Sequence, residues 1–166
     1  PPAVMLAPRY LRRGIRERVI SNGTIKTPMN ELDVREACKL FIENDIKTIA
    51  VSFVWSVLNP SHEIRAAQIV KEMMPDAIIT IGSELYPQIR EYTRTSTAIT
   101  NAYLSPILRN YISAVNEYFI GLGGKNNVRY FQSNGGLATG KVMSDRSVYA
   151  INSGPASAPQ AGLSVC

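Results

Sequence analysis

The longest helical pattern in the chain runs from Gly82 to Gly124, and it constrains the fold more than any other feature. Pro87 suits a first helical turn, whereas Pro106 interrupts the pattern. The sequence therefore predicts two helices, one over residues 86–104 and a second that Ser105 caps and that ends within residues 121–124. Apolar, aromatic or small residues recur at the spacing of one helix face: Ile89, Tyr92, Ser96, Ile99, Tyr103, Ile107, Tyr111, Val115 and Tyr118.

The opposite face of the first predicted helix carries short or forked hydrogen-bonding side chains. A solvated helix more often shows lysine and glutamate there. One interpretation is a capped, salt-bridged surface helix, and the other is a face that lines a polar cleft. The residues of this polar face are Arg90, Glu91, Arg94, Thr95, Thr97, Thr100 and Asn101.

Short apolar runs alternate with helical patterns along the rest of the chain. A nearly continuous apolar run over residues 48–54 is typical of a strand that is covered on both faces. This alternation predicts an α/β fold with some parallel strands and helices flanking the sheet. Further strands are predicted over 14–20, 77–81, 128–132 and 147–151. Further helices are predicted after Asn30, which caps the first of them, after Asn59 and over 138–144.

Two glycine-containing turns follow predicted strands near the C-terminus. Ser133-Asn134-Gly135-Gly136 is either a plain tight turn or a place where the backbone approaches a ligand closely. Ser153-Gly154-Pro155 opens a helix of small residues. The first N–H groups of that helix either receive an anion or pack closely against a sheet.

Composition argues against several classes of function. The net charge is +5, but the densest basic cluster contains a glutamate and no ladder of aromatic and basic residues occurs, so no nucleic-acid partner is expected. No run approaches the roughly 18 apolar residues of a membrane span. His62 is the single histidine, which argues against a His/Cys metal cluster. Cys38 and Cys166 have no framework spacing, which favours a reducing cytoplasm.

Six short motifs occur in an order and at a spacing that resemble one family. They are GIRERV at 14–19, NPSHE at 59–63, IREYTRTST at 89–97, NAY at 101–103, QSNGG at 132–136 and SGPA at 153–156. Each motif is weak alone. Together, across residues 12–163, they resemble the A-type members of the hydantoinase/oxoprolinase family.

The resemblance implies an RNase-H-like lobe of the actin-like ATPase superfamily, with a mixed, partly parallel sheet. It also implies ATP- and Mg²⁺-dependent opening of a cyclic amide, such as 5-oxoproline or a hydantoin, after phosphorylation of its carbonyl oxygen. In full length, an oligomer with a B-type subunit or domain is expected in the cytoplasm. A ketone carboxylase of the acetone or acetophenone type and a non-catalytic assembly segment stay open as alternatives.

The family's phosphate-binding loops, which are glycine-rich and flanked by aspartate, have no counterpart in this sequence. We therefore expect an internal segment that binds no nucleotide or metal alone. Residues 1–126 are expected to end the family's N-terminal domain, and residues 127–166 to begin the next ATPase lobe. No general base is identified. The resemblance implies that Arg94, Thr95, Ser96, Asn101, Ser133, Asn134, Gly135 and Gly136 line the substrate cleft, and that Ser153, Gly154 and Pro155 form a helix N-terminus between lobes.

Overall fold

The computed structural model describes residues 5–124 and 128–165. The chain divides into two compact units, Pro1–Tyr103 and Leu104–Cys166. The described part combines helices with two-stranded sheets, one of them parallel and two antiparallel. These sheets confirm the predicted mixed, partly parallel α/β fold. The predicted domain boundary between residues 126 and 127 lies outside the described residues and stays a prediction.

The first unit begins with a short 3-10 turn at Arg9–Leu11. It contains the strands β1 (Arg18–Val19), β2 (Ile25–Thr27), β3 (Thr48–Val51) and β4 (Ile78–Ile81), and the helices α1 (Glu31–Glu43), α2 (Ser61–Met73) and α3 (Gly82–Leu85). The helix α4 (Glu91–Gly121) begins in the first unit and ends in the second. The second unit also contains β5 (Arg129–Phe131), β6 (Leu137–Thr139), α5 (Gly140–Asp145), a 3-10 turn (Ser147–Ala150) and α6 (Ser153–Val165).

The parallel pair of β3 and β4 forms the centre of the first unit. Thr48 lies opposite Ile78, and Val51 lies opposite Ile81. Side chains alternate along a strand, so Ile49 points to the same face as Val51, and both pack against α1 and α2. The strand predicted within residues 48–54 is thereby confirmed. The buried members of this core are Val34, Cys38, Ile49, Val51, Ala66, Ile69, Val70 and Ala77.

The helix α4 runs without interruption from Glu91 to Gly121, so the predicted break at Pro106 and the predicted start near Pro87 are both wrong. An internal proline costs a helix about 3 kcal/mol. Burial of one stripe of α4 stabilises the helix past that point. Ser105 belongs to the stripe and is not a cap. The stripe contains Ala98, Ala102, Ser105 and Ile112.

The face of α4 that carries the tyrosines is exposed, and part of its polar face is buried. Tyr92 is 86% exposed, and Tyr103, Tyr111 and Tyr118 are also more than half exposed. Two residues of the polar face, Arg94 and Asn101, are 0% and 1% exposed. The interpretation of a salt-bridged surface helix is therefore wrong for these two side chains. Polar groups can be buried in this way when they form hydrogen bonds inside the protein.

The start of α1 shows how a side chain from another segment changes a local prediction. Asn30 caps the helix as predicted, because its side-chain oxygen accepts the N–H groups of Leu32 and Asp33. The Asp33 carboxylate binds the Arg16 guanidinium at 2.6 and 2.8 Å and the Arg16 main-chain N–H at 2.9 Å. With the main chain of Arg16 engaged there, the strand predicted over 14–20 shortens to β1.

Two predictions in the second unit need correction. The strand predicted over 147–151 is a 3-10 turn, because the Ser147 hydroxyl donates to the carbonyls of Met143 and Ser144 and continues the turn from α5. The helix predicted over 138–144 begins only at Gly140, since the preceding residues pair with β5 as β6. Thr139 caps α5 by accepting the Val142 N–H at 3.3 Å.

Candidate functional site

The carboxyl ends of β3 and β4 lie side by side, and one buried carboxylate joins them. Glu63, in the first turn of α2, is 0% exposed. One of its oxygens accepts the main-chain N–H of Phe53, just after β3, at 2.7 Å. The other accepts the N–H of Ser83, just after β4, at 2.9 Å. Glu63 therefore fixes the position of both segments that leave the sheet.

The buried guanidinium of Arg94, on α4, binds the same segment after β3 that Glu63 binds. It donates to the carbonyl of Phe53 at 2.8 Å and to the carbonyl of Gln88 at 2.7 Å. The Phe53 main chain is thus bound by a negative side chain at its N–H and by a positive one at its C=O. Such charge-assisted bonds are the strong ones in proteins. The Nε atom of Arg94 has no partner among the described residues.

Two half-buried hydroxyls and one glycine, Gly82, lie next to Arg94. The Ser52 and Thr95 hydroxyls lie 2.8 Å apart. A Cβ on Gly82 would lie 3.2 Å from the Val51 carbonyl oxygen, 3.3 Å from Ser52 Oγ and 3.4 Å from the Arg94 side chain. A side chain larger than hydrogen would therefore press on this junction.

The middle of α4 is attached to β4 by a second buried polar contact. The Asn101 side-chain amide donates to the Thr80 hydroxyl at 3.1 Å, and both residues are buried. Ser96 is half-buried, and its carbonyl accepts the Thr100 hydroxyl at 2.8 Å. Together with Arg94, Asn101 holds α4 on the face of the sheet opposite α1 and α2.

In the second unit, the glycine turn forms the loop of the β5–β6 hairpin. Gly135 has φ +80°, and the Gly136 N–H donates to the Asn134 side chain at 2.9 Å. The Ser133 N–H donates to the Tyr149 carbonyl at 2.7 Å. The side chains of Ser133 and Asn134 are exposed, so they are accessible to a ligand.

The segment that opens α6 lies beside this hairpin. Asn152, just before α6, has φ +58° and accepts the Ala156 N–H at 3.2 Å. Ser153 is half-buried, and Gly154 and Pro155 are exposed at the helix start. α6 packs against β5. The structure thus brings the two C-terminal motifs together. In the first unit, Arg94 and Thr95 contact the segment that follows β3, whereas Asn101 lies about two turns farther along α4 and contacts β4.

Sequence reasoning missed Glu63 and Ser52. Glu63 belongs to the NPSHE motif, but an acidic residue in a first helical turn is ordinary and signals no buried contact. Its partners lie 10 and 20 residues away along the chain. His62, from the same motif, is buried, and its Nδ1 atom lies 2.8 Å from a carboxylate oxygen of Glu17.

Sequence comparison identifies the family. The profile of the hydantoinase/oxoprolinase N-terminal region matches residues 3–74, and the profile named hydantoinase/oxoprolinase matches residues 94–162. The chain belongs to the hydantoinase/oxoprolinase family. The resemblance that the six motifs suggested is confirmed. Within the described residues, no helix is long and apolar enough to cross a membrane.

This chain is similar in both sequence and fold to a solved ATP-dependent enzyme. It is 55% identical to the caprolactamase alpha subunit of Pseudomonas jessenii over 99% of its own length and 24% of that relative. The crystal structure of the ATP-dependent caprolactamase from the same organism superposes with a TM-score of 0.93, over 99% of this chain and 24% of that chain. The chain thus spans about a quarter of this relative.

More distant relatives act on other substrates. The chain is 30% identical to 5-oxoprolinase of Saccharomyces cerevisiae over 80% of its length and 10% of that enzyme. A nucleotide-free structure of acetone carboxylase, which performs ATP-dependent acetone carboxylation, is 29% identical. Its TM-score is 0.79, with 90% of this chain and 21% of that chain covered.

Proposed function

We propose that this chain is a segment of a longer, ATP-dependent cyclic-amide hydrolase that opens lactam rings. The observation that carries the proposal is the 55% identity and TM-score of 0.93 to caprolactamase over 99% of the chain. The likeness to 5-oxoprolinase supports the same class of substrate. Caprolactam-type lactams are therefore the first substrates to test, followed by 5-oxoproline and hydantoins.

The chemistry of an amide explains why ATP is needed. An unstrained amide is a poor electrophile, whereas phosphorylation of its oxygen makes the attached carbon open to attack by water. In this proposal ATP would transfer a phosphoryl group to the lactam oxygen and leave as ADP, and water would add to the activated carbon. The ring C–N bond would then break with protonation of the departing amine, and a second water would hydrolyse the resulting acyl phosphate to carboxylate and phosphate. Phosphoryl transfer depends mostly on positioning and on charge neutralisation.

Among the described residues, no group of three or more His, Cys, Asp or Glu side chains is placed to hold a metal ion by itself. In nucleotide sites, Mg²⁺ is usually held by one or two carboxylates together with the substrate phosphates. The turns at Gly123-Gly124 and Gly135-Gly136 also lack a flanking aspartate. We propose that other segments of the longer polypeptide bind the phosphates and the metal.

The roles we propose for the site residues follow from their burial. Arg94 and Asn101 are positioning residues, because their side chains are buried and bonded to Phe53, Gln88 and Thr80. Substrate-facing roles are proposed for the more accessible groups of each unit: Thr95 and Ser96 in the first, and Ser133, Asn134, Gly135 and Gly136 in the second. Ser153, Gly154 and Pro155 are proposed to meet a neighbouring lobe or subunit, since relatives are named as subunits.

The test uses the full-length gene product, assayed for ATP-dependent ring opening of caprolactam. We expect Arg94→Ala to lower kcat/KM by about 100-fold, since a small misplacement of the groups that it positions costs that much. Asn134→Ala should also lower kcat/KM, because it removes a proposed contact with the substrate. Arg109→Ala is the control, because Arg109 also lies on α4 and its ion pair with Asp145, at 3.2 Å, is exposed. Unchanged ring opening in both site variants would contradict the assigned roles.

A ketone carboxylase remains the second candidate, supported by the likeness to acetone carboxylase. Ketone and bicarbonate, supplied with ATP to the same full-length protein, would give carboxylation in place of ring opening.

Residues 1–166 alone are expected to bind ATP no tighter than about 1 mM, which is roughly −4 kcal/mol. Micromolar binding by calorimetry would show that the phosphate site lies within this chain. A full-length protein without either activity would favour a structural role.

A further inference from the structure

The segments that leave β3 and β4 each contain a loop, and one side chain binds both loops. The Arg94 guanidinium donates to the Phe53 carbonyl in the first loop, residues 52–60, and to the Gln88 carbonyl in the second loop, residues 86–90. The two loops therefore lie together beyond the carboxyl ends of the parallel strands. Ligands of open α/β sheets bind at this edge.

Each loop holds a large side chain at a backbone angle that such residues rarely adopt. Trp55 has φ +59° and Arg90 has φ +27°. Asp45 and Asn152 also have positive φ angles, but aspartate and asparagine tolerate this conformation. A tryptophan or arginine is strained there, and strained residues of this kind cluster at active sites and ligand clamps.

The bonds that fix the first loop do not use the Trp55 side chain. The Phe53 carbonyl accepts the Ser56 hydroxyl at 3.0 Å, in addition to the guanidinium bond. The Trp55 carbonyl accepts the N–H groups of Leu58 and Asn59 at 3.0 and 3.2 Å. A glycine at position 55 could form the same main-chain bonds with less strain. The strain at Trp55 is therefore explained only by a use for its side chain.

The indole of Trp55 contributes little to the packing of the fold. Trp55 is half-buried, yet within the described part of the chain it belongs neither to the two hydrophobic cores nor to the side chains that pack on them. No described aromatic ring contacts it, and no described residue accepts its N–H. A tryptophan N–H usually finds a partner when it is buried. An apolar surface and a hydrogen-bond donor are thus available to a ligand.

We infer that Trp55 is a specificity-determining residue whose indole packs against the methylene groups of the lactam ring. A lactam offers the two features that an indole can contact, which are a row of apolar methylene groups and a carbonyl oxygen that accepts an N–H. Because Glu63 and Arg94 fix the loop, the indole is held in place before the substrate binds, which lowers the entropy cost of binding. The inference rests on the proposed function, since it names a contact for the proposed substrate.

The ring-size selectivity of the full-length protein tests the inference. The kcat/KM of ATP-dependent ring opening is measured for caprolactam, a seven-membered lactam, and, directly or in competition, for pyrrolidone, a five-membered one. Each methylene group that packs on an apolar wall changes kcat/KM by about tenfold or more. We expect Trp55→Gly and Trp55→Ala to lower kcat/KM for caprolactam at least about tenfold more than for pyrrolidone. A purely structural role would lower both values equally.

The two variants also separate substrate contact from strain. Both remove the indole, but glycine relieves the positive φ and alanine does not. We expect Trp55→Gly to melt several degrees above Trp55→Ala, with the same loss of selectivity in both. Equal melting temperatures, unchanged selectivity, or an activity loss that follows melting temperature in place of ring size would each overturn the inference. If the unchanged protein opens neither ring, the proposed function itself fails, and the inference fails with it.

Discussion

Replacing Glu63 with glutamine tests whether one buried carboxylate holds the ends of both parallel strands. The substitution keeps the shape of the side chain but turns one acceptor oxygen into an NH2 donor. Either the Phe53 N–H at 2.7 Å or the Ser83 N–H at 2.9 Å then faces another donor. Since Glu63 is 0% exposed, water cannot replace the lost acceptor.

The expected cost follows from these contacts. A hydrogen bond to a charged group contributes about 1.5–3 kcal/mol, and a buried donor left without a partner costs about 1–3 kcal/mol. Removing the buried charge recovers part of its desolvation cost. We therefore expect Glu63→Gln to lower the free energy of unfolding by about 2–4 kcal/mol. For a chain of this size, this corresponds to a fall in melting temperature of about 4–16 °C.

The assay is urea denaturation of residues 1–166 at pH 7, followed by circular dichroism, with the slope of the transition compared between variants. Glu72→Gln is the matched control, because its half-exposed carboxylate bonds to Arg35 and Arg65 at the surface. It should cost less than about 1 kcal/mol. If Glu63→Gln lies within about 0.5 kcal/mol of the unchanged chain, the bridging role assigned to Glu63 is wrong.

Two further predictions concern the packing and the pH dependence of the first unit. Gly82→Ala should lower its stability by about 1–3 kcal/mol, because the new Cβ would press on the Val51 carbonyl, whereas Gly14→Ala, with open space around it, should have little effect; equal melting temperatures for the two variants would contradict the close approach. The Arg16 guanidinium and main-chain N–H lower the pKa of Asp33 to about 2. The ionised Asp33 carboxylate therefore stabilises the folded state fully above its unfolded pKa near 4, and this stabilisation is lost as the pH falls through about 2. The difference in melting temperature between the unchanged chain and Asp33→Asn should be constant above pH 4 and shrink between pH 4 and 2, and an undiminished difference at pH 2 would refute this linkage.

Local sequence patterns correctly predicted the elements whose causes lie within a few residues. The apolar run after Lys47 formed a strand, Asn30 capped a helix, and Asn134-Gly135 formed a hairpin turn. Each depends on a propensity or a hydrogen bond within about four positions along the chain. The order of strands and helices, and with it the α/β class, is therefore readable without coordinates.

The predictions that failed depend on partners distant in sequence. The 3.6-residue periodicity of α4 showed an apolar face and a polar face, either of which could be buried. It did not show that the carbonyl groups of Gln88 and Phe53 accept hydrogen bonds from the Arg94 guanidinium. A local rule placed a helix break at Pro106. Packing of the buried stripe of α4 outweighed that cost.

The sequence alone determined the family, the parallel pairing of an α/β layer and the motifs that carry the candidate site. Only the tertiary structure decided that the polar side of α4 faces the sheet and that Glu63 joins β3 to β4. The physical reason is the same in both cases. The energy of a buried polar group depends on what lies opposite it in space, and neighbours in sequence do not reveal that.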